Sequence, residues 1–315
     1  MKEIALKKKT GMGTIKRNKL TFYIVCAALP ILQFCIFYIG VNFNSIALSF
    51  KKYVSDGNGN YYYTFAKFEN YKKLFKMFAE QEYLQKSIVN SLKVFLFTML
   101  SIVFSVSFAY YISKKHFFGK TFQVFLFVPH ILSAVIMVTM YKYFVENVIP
   151  DVLSTILGRK VNPLLSSPNR DQTFAVMIFF YIWASFGTNT MLFCGGINGI
   201  SESIFDAAKV DGASEPREFI SIVIPMIMPT ITTLVVVAIA QLFTQQMHLF
   251  TFWGTDFREK YLYTIGYYLY NMTKKAGISG IAEYPIIATL GICISLVTIP
   301  LTIIARKCLT KIGNR

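Results

Sequence analysis

Acidic side chains are scarce in this chain of 315 residues: 16 Asp and Glu stand against 32 Lys and Arg, for a formal charge of +16. Charged residues of both signs make up only 15%, where a soluble domain carries about a quarter. That shortfall argues against a soluble enzyme, and the 54% hydrophobic content argues against a disordered chain. Histidine is nearly absent. His116, His130 and His248 lie far apart with no nucleophile constellation around them, so no catalytic residues are assigned. The five cysteines (Cys26, Cys35, Cys194, Cys293, Cys308) form no C-x-x-C pair, and no histidine sits at metal-ligand spacing. Neither a disulfide framework nor a metal site is expected. A Walker A loop is also missing: Gly119-Lys120-Thr121 lacks its upstream glycine, replaced by Lys114, so any ATP must be hydrolysed on another chain.

Long apolar runs are what the chain has in abundance. Six stretches reach the roughly 20 residues needed to cross about 30 Å of hydrocarbon: residues 20–41, 88–112, 121–145, 174–194, 222–248 and 286–305. The first follows a basic head without a small-x-small cleavage site, and reads as a retained signal anchor. Lys93 and Lys142 lie near span ends, where long side chains snorkel. Pro30, Pro129, Pro225, Pro229 and Pro300 predict kinks. The fold expected is therefore an all-α integral membrane protein of about six transmembrane helices: a basic segment 1–19, one membrane domain 20–305 and a tail 306–315. Basic residues crowd both termini and the connection with Lys114, Lys115 and Lys120, which puts these on the cytoplasmic side of a cell membrane. Beside apolar runs they meet anionic lipid headgroups, not nucleic acid.

The connection at about 195–221 inverts the charge balance, with Glu202, Asp206, Asp211, Glu215 and Glu218 in a basic protein. Ser201 or Ser203 can cap a short helix through Ala207, Ala208 and Lys209, and Gly212 can end it in a left-handed turn. Residues 213–220 can form a second short helix leading into the fifth span. Two adjacent alanines let another protein approach the backbone closely; a plain helix-turn-helix on the membrane surface is the alternative.

This segment resembles the E-A-A-x3-G-x9-I-x-L-P loop of binding-protein-dependent ABC transporter permeases: Asp206, Ala207, Ala208, three residues, Gly212, nine residues, Ile222, Val223, Ile224, Pro225. Asp206 replaces Glu and Ile224 replaces Leu. Asp211, Gly212 and Ala213 resemble the D-G-A ending typical of the carbohydrate-uptake branch, and the segments 45–53 and 67–75 resemble the larger permease type of the maltose system. The resemblance implies an ABC importer permease fold in which Glu202, Asp206, Ala207, Ala208, Asp211, Gly212, Ala213 and Pro225 form an ATPase-docking loop. It further implies a second related permease, two ATP-binding cassette subunits carrying ATP and Mg, an extracytoplasmic solute-binding protein and a sugar or oligosaccharide cargo. This chain itself binds no cofactor on that reading.

Gln241, Gln245 and His248 recur at i, i+4 and i+7, which on a continuous fifth helix is one polar face. With Thr244, and with Tyr141, Tyr181 and Trp183 as aromatic platforms, they are candidates for a sugar pathway; inter-helix hydrogen bonding and interfacial belts remain the alternatives. Glycerol phosphate and polyamines are the alternative solutes. A secondary transporter is the rival mechanism, weakened by the lack of Asp or Glu within the spans.

Overall fold

The computed structural model describes residues 19–56, 61–255, 257–279 and 283–313; the head and the last two residues of the tail lie outside them. Helix α1 (Lys19–Ser49) is followed by a hairpin of β1 (Lys51–Ser55) and β2 (Tyr61–Phe65), then α2 (Glu69–Glu80) and α3 (Glu82–Ser113). Next come α4 (Gly119–Ile131), α5 (Ala134–Leu157), α6 (Arg170–Asn198), α7 (Glu202–Val210), α8 (Glu215–Met226) and α9 (Met228–Ala240). A five-residue helix α10 (Leu249–Trp253), α11 (Ile265–Ser279) and α12 (Tyr284–Gly313) complete the chain. Four of these helices are long and apolar enough to cross a membrane, and the bent pairs α4/α5 and α8/α9 raise the number to six.

Two expected spans are thus broken. The run 121–145 does not form one helix: α4 stops at Ile131, Leu132 turns extended, and α5 leaves at 105°. Pro129 withholds one helical hydrogen bond just upstream, and Ser133 offers a new start by accepting the Ile136 N–H on its hydroxyl at 3.3 Å. The fifth run bends by 68° at Ile227, between Pro225 and Pro229. Pro229 lacks the N–H that would have reached the Pro225 carbonyl, so the joint falls where the bond is missing. Pro30 and Pro300, by contrast, sit in helices that run on unbroken.

Helices α3 and α6 pack side by side as the centre of the bundle. One apolar cluster gathers Leu84, Met177, Phe180, Met247, Leu249 and Tyr267; a second, towards α7, gathers Ile102, Phe193, Ile197, Val223 and Ile227. The α1–hairpin junction is fixed by a buried amide. Asn70 donates to the Ser49 and Lys51 carbonyls, both at 2.7 Å, while Phe68 and Tyr71 pack on Phe50. The segments 45–53 and 67–75 therefore form one folded unit. The rest of α1, residues 19–44, buries nothing.

Candidate functional site

Helix α7 is held by its ends and by one face. Ser201 occupies the N-cap position, but its hydroxyl meets Ser203 at 2.8 Å and makes no capping bond, so neither serine caps the helix as expected. Glu202 in the first turn and Lys209 in the last complement the helix dipole. The C-terminus closes as a Schellman turn: the Gly212 N–H donates to the Lys209 carbonyl at 3.0 Å and the Ala213 N–H to the Ala208 carbonyl at 2.9 Å. Gly212 has φ +70°, the left-handed geometry read from the sequence, and a Cβ there would meet nothing within 4 Å. Its constraint is backbone conformation alone.

The two alanines part company. Ala208 is buried with Ile204 and Phe205 turned towards the α7-side core, whereas Ala207 is exposed beside Asp206, which pairs with Lys209 at 3.1 Å. Val210 is 88% exposed on the outward side, one turn beyond Ala207. The outward face of α7 therefore carries exposed Ala207 and Val210 in its C-terminal half, with the carboxylates of Glu202 in the first turn and Asp206 at the midpoint. Val210 was not singled out in the sequence; an apolar residue three places after Ala207 was the available signal. Asp211 is exposed at the C-cap, and Pro225 lies just ahead of the 68° joint.

After Ala240 the helix unwinds, which overturns the continuous polar face expected through Gln241, Gln245 and His248. The chain makes turns from Gln241 to Thr244, and Met247 and His248 take φ +50° and +58°. Gln245 explains the break. Its side-chain oxygen accepts the backbone N–H groups of Gln246 and Met247 at 2.9 and 3.3 Å, competing with helical bonding. Its amide donates to the Tyr181 hydroxyl at 3.0 Å, and its carbonyl accepts from buried Thr264 at 2.8 Å. Gly266 lets this segment lie flat on α11, because a Cβ there would come within 2.6 Å of the Gln245 carbonyl.

Irregular backbone nevertheless brings the predicted residues together. Gln241, Gln245 and His248 line a recess of about 360 Å³ with Tyr181, Thr98 of α3, and Ser185 and Asn189 of α6. Thr244 joins them around an adjoining cavity of about 430 Å³ with Gln246, Thr251 and Tyr270. Tyr141 and Trp183 are not in either. The Tyr141 hydroxyl donates to the Val176 carbonyl at 2.8 Å while its ring packs on Phe180, and Trp183 points outward from α6. Tyr181, Ser185 and Asn189 recur every four residues, a helical stripe that sequence reading passed over. The described lining includes no Asp, Glu, Lys or Arg.

A charge cluster joins the start of α8 to the end of α3, with Phe205 of α7 against it. Glu218, only 3% exposed, meets Lys114 at 2.5 Å and accepts from the Tyr110 hydroxyl at 3.1 Å. The Lys114 ammonium lies 4.9 Å from the Phe205 ring centre. In the sequence Lys114 marks the cytoplasmic side and the missing Walker A glycine, and nothing there pairs it with Glu218.

Relatives agree with this architecture. The galactooligosaccharides transport system permease protein GanQ of Bacillus subtilis (strain 168) is 30% identical over 206 residues, covering 65% of this chain and 64% of that one. The sn-glycerol-3-phosphate transport system permease protein UgpA of Agrobacterium fabrum (strain C58 / ATCC 33970) is 30% identical over 159 residues, covering 48% and 53%. The chain thus spans less than two thirds of the length of each. In fold it is similar to a chain of a bacterial alginate ABC transporter solved in complex with alginate pentasaccharide-bound periplasmic protein, with TM-score 0.73 at 19% identity over 95% of this chain and 97% of that one. Residues 101–308, from the middle of α3 through α7 to the end of the bundle, match the family described as binding-protein-dependent transport system inner membrane component, and the chain belongs to that family.

Proposed function

We propose that this chain is the membrane-spanning permease subunit of an ATP-driven importer, passing a sugar or oligosaccharide delivered by an extracytoplasmic binding protein. The α7 turn supports the ATPase side of that reading. A short helix with an exposed Ala207–Val210 face, closed by a left-handed glycine, can seat in a cleft of an ATP-binding cassette subunit, which supplies the nucleotide chemistry. One chain offers one such helix, so two ATPases require a second, related permease. On this reading both termini and α7 face the cytoplasm, and the hairpin faces the binding protein.

The recess supports the cargo. Its lining supplies hydroxyls, amides, the rings of Tyr181 and Tyr270 and the His248 imidazole, with no Lys or Arg among the described residues, which suits a neutral polyhydroxylated solute better than a phosphate ester. Uptake into proteoliposomes holding the assembled complex and its binding protein tests this. Galactooligosaccharide uptake that needs internal ATP is the expected result, and equal uptake without ATPase subunits would overturn it. Preference for glycerol phosphate would overturn the sugar assignment alone.

A further inference from the structure

Two mechanical routes run from α7 to the recess. The covalent one is jointed. Helix α8 contains a π-helical stretch over Phe219–Val223 and then turns by 68° before α9, whose Leu234, Val237 and Ala238 form one wall of the recess. The other route is α3, unbroken for 32 residues, which carries Val94, Phe95 and Thr98 in the opposite wall. From Thr98 to Tyr110 along this helix is about 18 Å at 1.5 Å per residue.

What ties α3 to the α7 turn is the Glu218 cluster. Glu218 lies three residues past the N-terminus of α8, and its carboxylate reaches Lys114 and Tyr110 at the far end of α3. Tyr110 also donates to the Glu215 carbonyl at 3.3 Å, and its ring packs 4.9 Å from that of Phe219. His116, just beyond α3, comes within 3.5 Å of the Glu215 carboxylate. Separating Glu218 from Lys114 would strand a charge with almost no access to water, so the two ends move together. A neutral contact at this place would hold the elements less strictly.

We propose that Glu218 is a positioning residue that couples the α7 turn to α3 through Lys114 and Tyr110, so that displacement of α7 moves the α3 wall of the recess and not only the α9 wall. The inference rests on α7 being the ATPase-docking element.

The test uses the whole complex in nanodiscs, with Thr98→Cys as reporter and Cys26, Cys35, Cys293 and Cys308 replaced by Ser. The maleimide labelling rate of Thr98→Cys is expected to change about fivefold, the low end of ordinary allosteric coupling, between the nucleotide-free and ATP–vanadate states. Glu218→Gln and Lys114→Met should abolish that dependence while the ATPase still co-purifies, and the swap Lys114→Glu with Glu218→Lys should restore it. Full nucleotide dependence in Glu218→Gln, or none in the unaltered complex, would overturn the proposal. So would a silent charge swap, because a packing defect would then explain the single variants, and so would loss of ATPase from Glu218→Gln. Wild-type ATPase association in Gly212→Asp would instead overturn the docking reading itself.

Discussion

Gln245 donates its side-chain amide to the Tyr181 hydroxyl at 3.0 Å, fastening the unwound segment after α9 to the middle of α6. Its side-chain oxygen and its backbone carbonyl accept three further hydrogen bonds, so Gln245 is a strut of the recess as well as part of its wall. Gln241, exposed at the rim, bonds through its backbone alone among the interactions described. Replacing Gln245 by Leu strands the Gln246 and Met247 N–H groups and should destabilise the chain by about 1–3 kcal/mol. Gln241→Leu should leave the thermal midpoint unchanged and weaken solute uptake. Scanning fluorimetry beside transport assays separates the two; equal midpoints in both variants would reduce Gln245 to a lining residue.

The outward face of α7 makes a second expectation. Val210→Asp places a charge where an apolar side chain is 88% exposed, so the isolated permease should keep its stability. Association with the ATPase should fall at least roughly tenfold, equivalent to about 1.4 kcal/mol. Titration of ATPase onto nanodisc-held complex reads this directly, and unchanged affinity would remove Val210 from the docking face.

Gly212 distinguishes strain from contact. Ala at φ +70° should cost about 1–2 kcal/mol of backbone strain, and Asn less, because its short polar side chain visits that region. Nothing within this chain lies close to an added Cβ, so Gly212→Asp should be no less stable in isolation than Gly212→Ala. In ATPase binding, Asp should be clearly worse. If Ala and Asp weaken docking equally, the turn matters through its shape alone.

Gly266 is a packing constraint of another kind. A Cβ there drives into the backbone of Thr244 and Gln245, so Gly266→Val should cost at least about 2 kcal/mol and disorganise the recess. The expected signs are a lower thermal midpoint and loss of uptake with ATPase association retained. Normal uptake would show that the unwound segment tolerates displacement.

The α7 turn was legible because its determinants are local: a glycine needing positive φ, two alanines, and acids placed early in a short helix. Hydropathy likewise located the helices and bent pairs that are apolar enough to span among the described residues, yet it could not see the breaks at Leu132 and Ile227. Apolarity reports depth in the bilayer, whereas a bend depends on single hydrogen bonds withheld by Pro129 and Pro229. The polar face on the fifth span failed for a related reason. A 3.6-residue period presumes a helix, and Gln245 spends its amide oxygen on the backbone that would have continued it. Glu218 with Lys114 was out of reach altogether, since 104 positions separate partners that meet only when α8 folds back on α3.

Helix α1 has 31 residues, about 46 Å at 1.5 Å per residue, against roughly 30 Å of hydrocarbon. At its Ser49 end the helix is tied by the Asn70 clasp and the hairpin, whereas residues 19–44 bury nothing in the chain. A helix longer than the hydrocarbon and held at one end answers a change of bilayer thickness by tilting about that attachment, at little cost to the packed helices, because the rest of its length makes no buried contact.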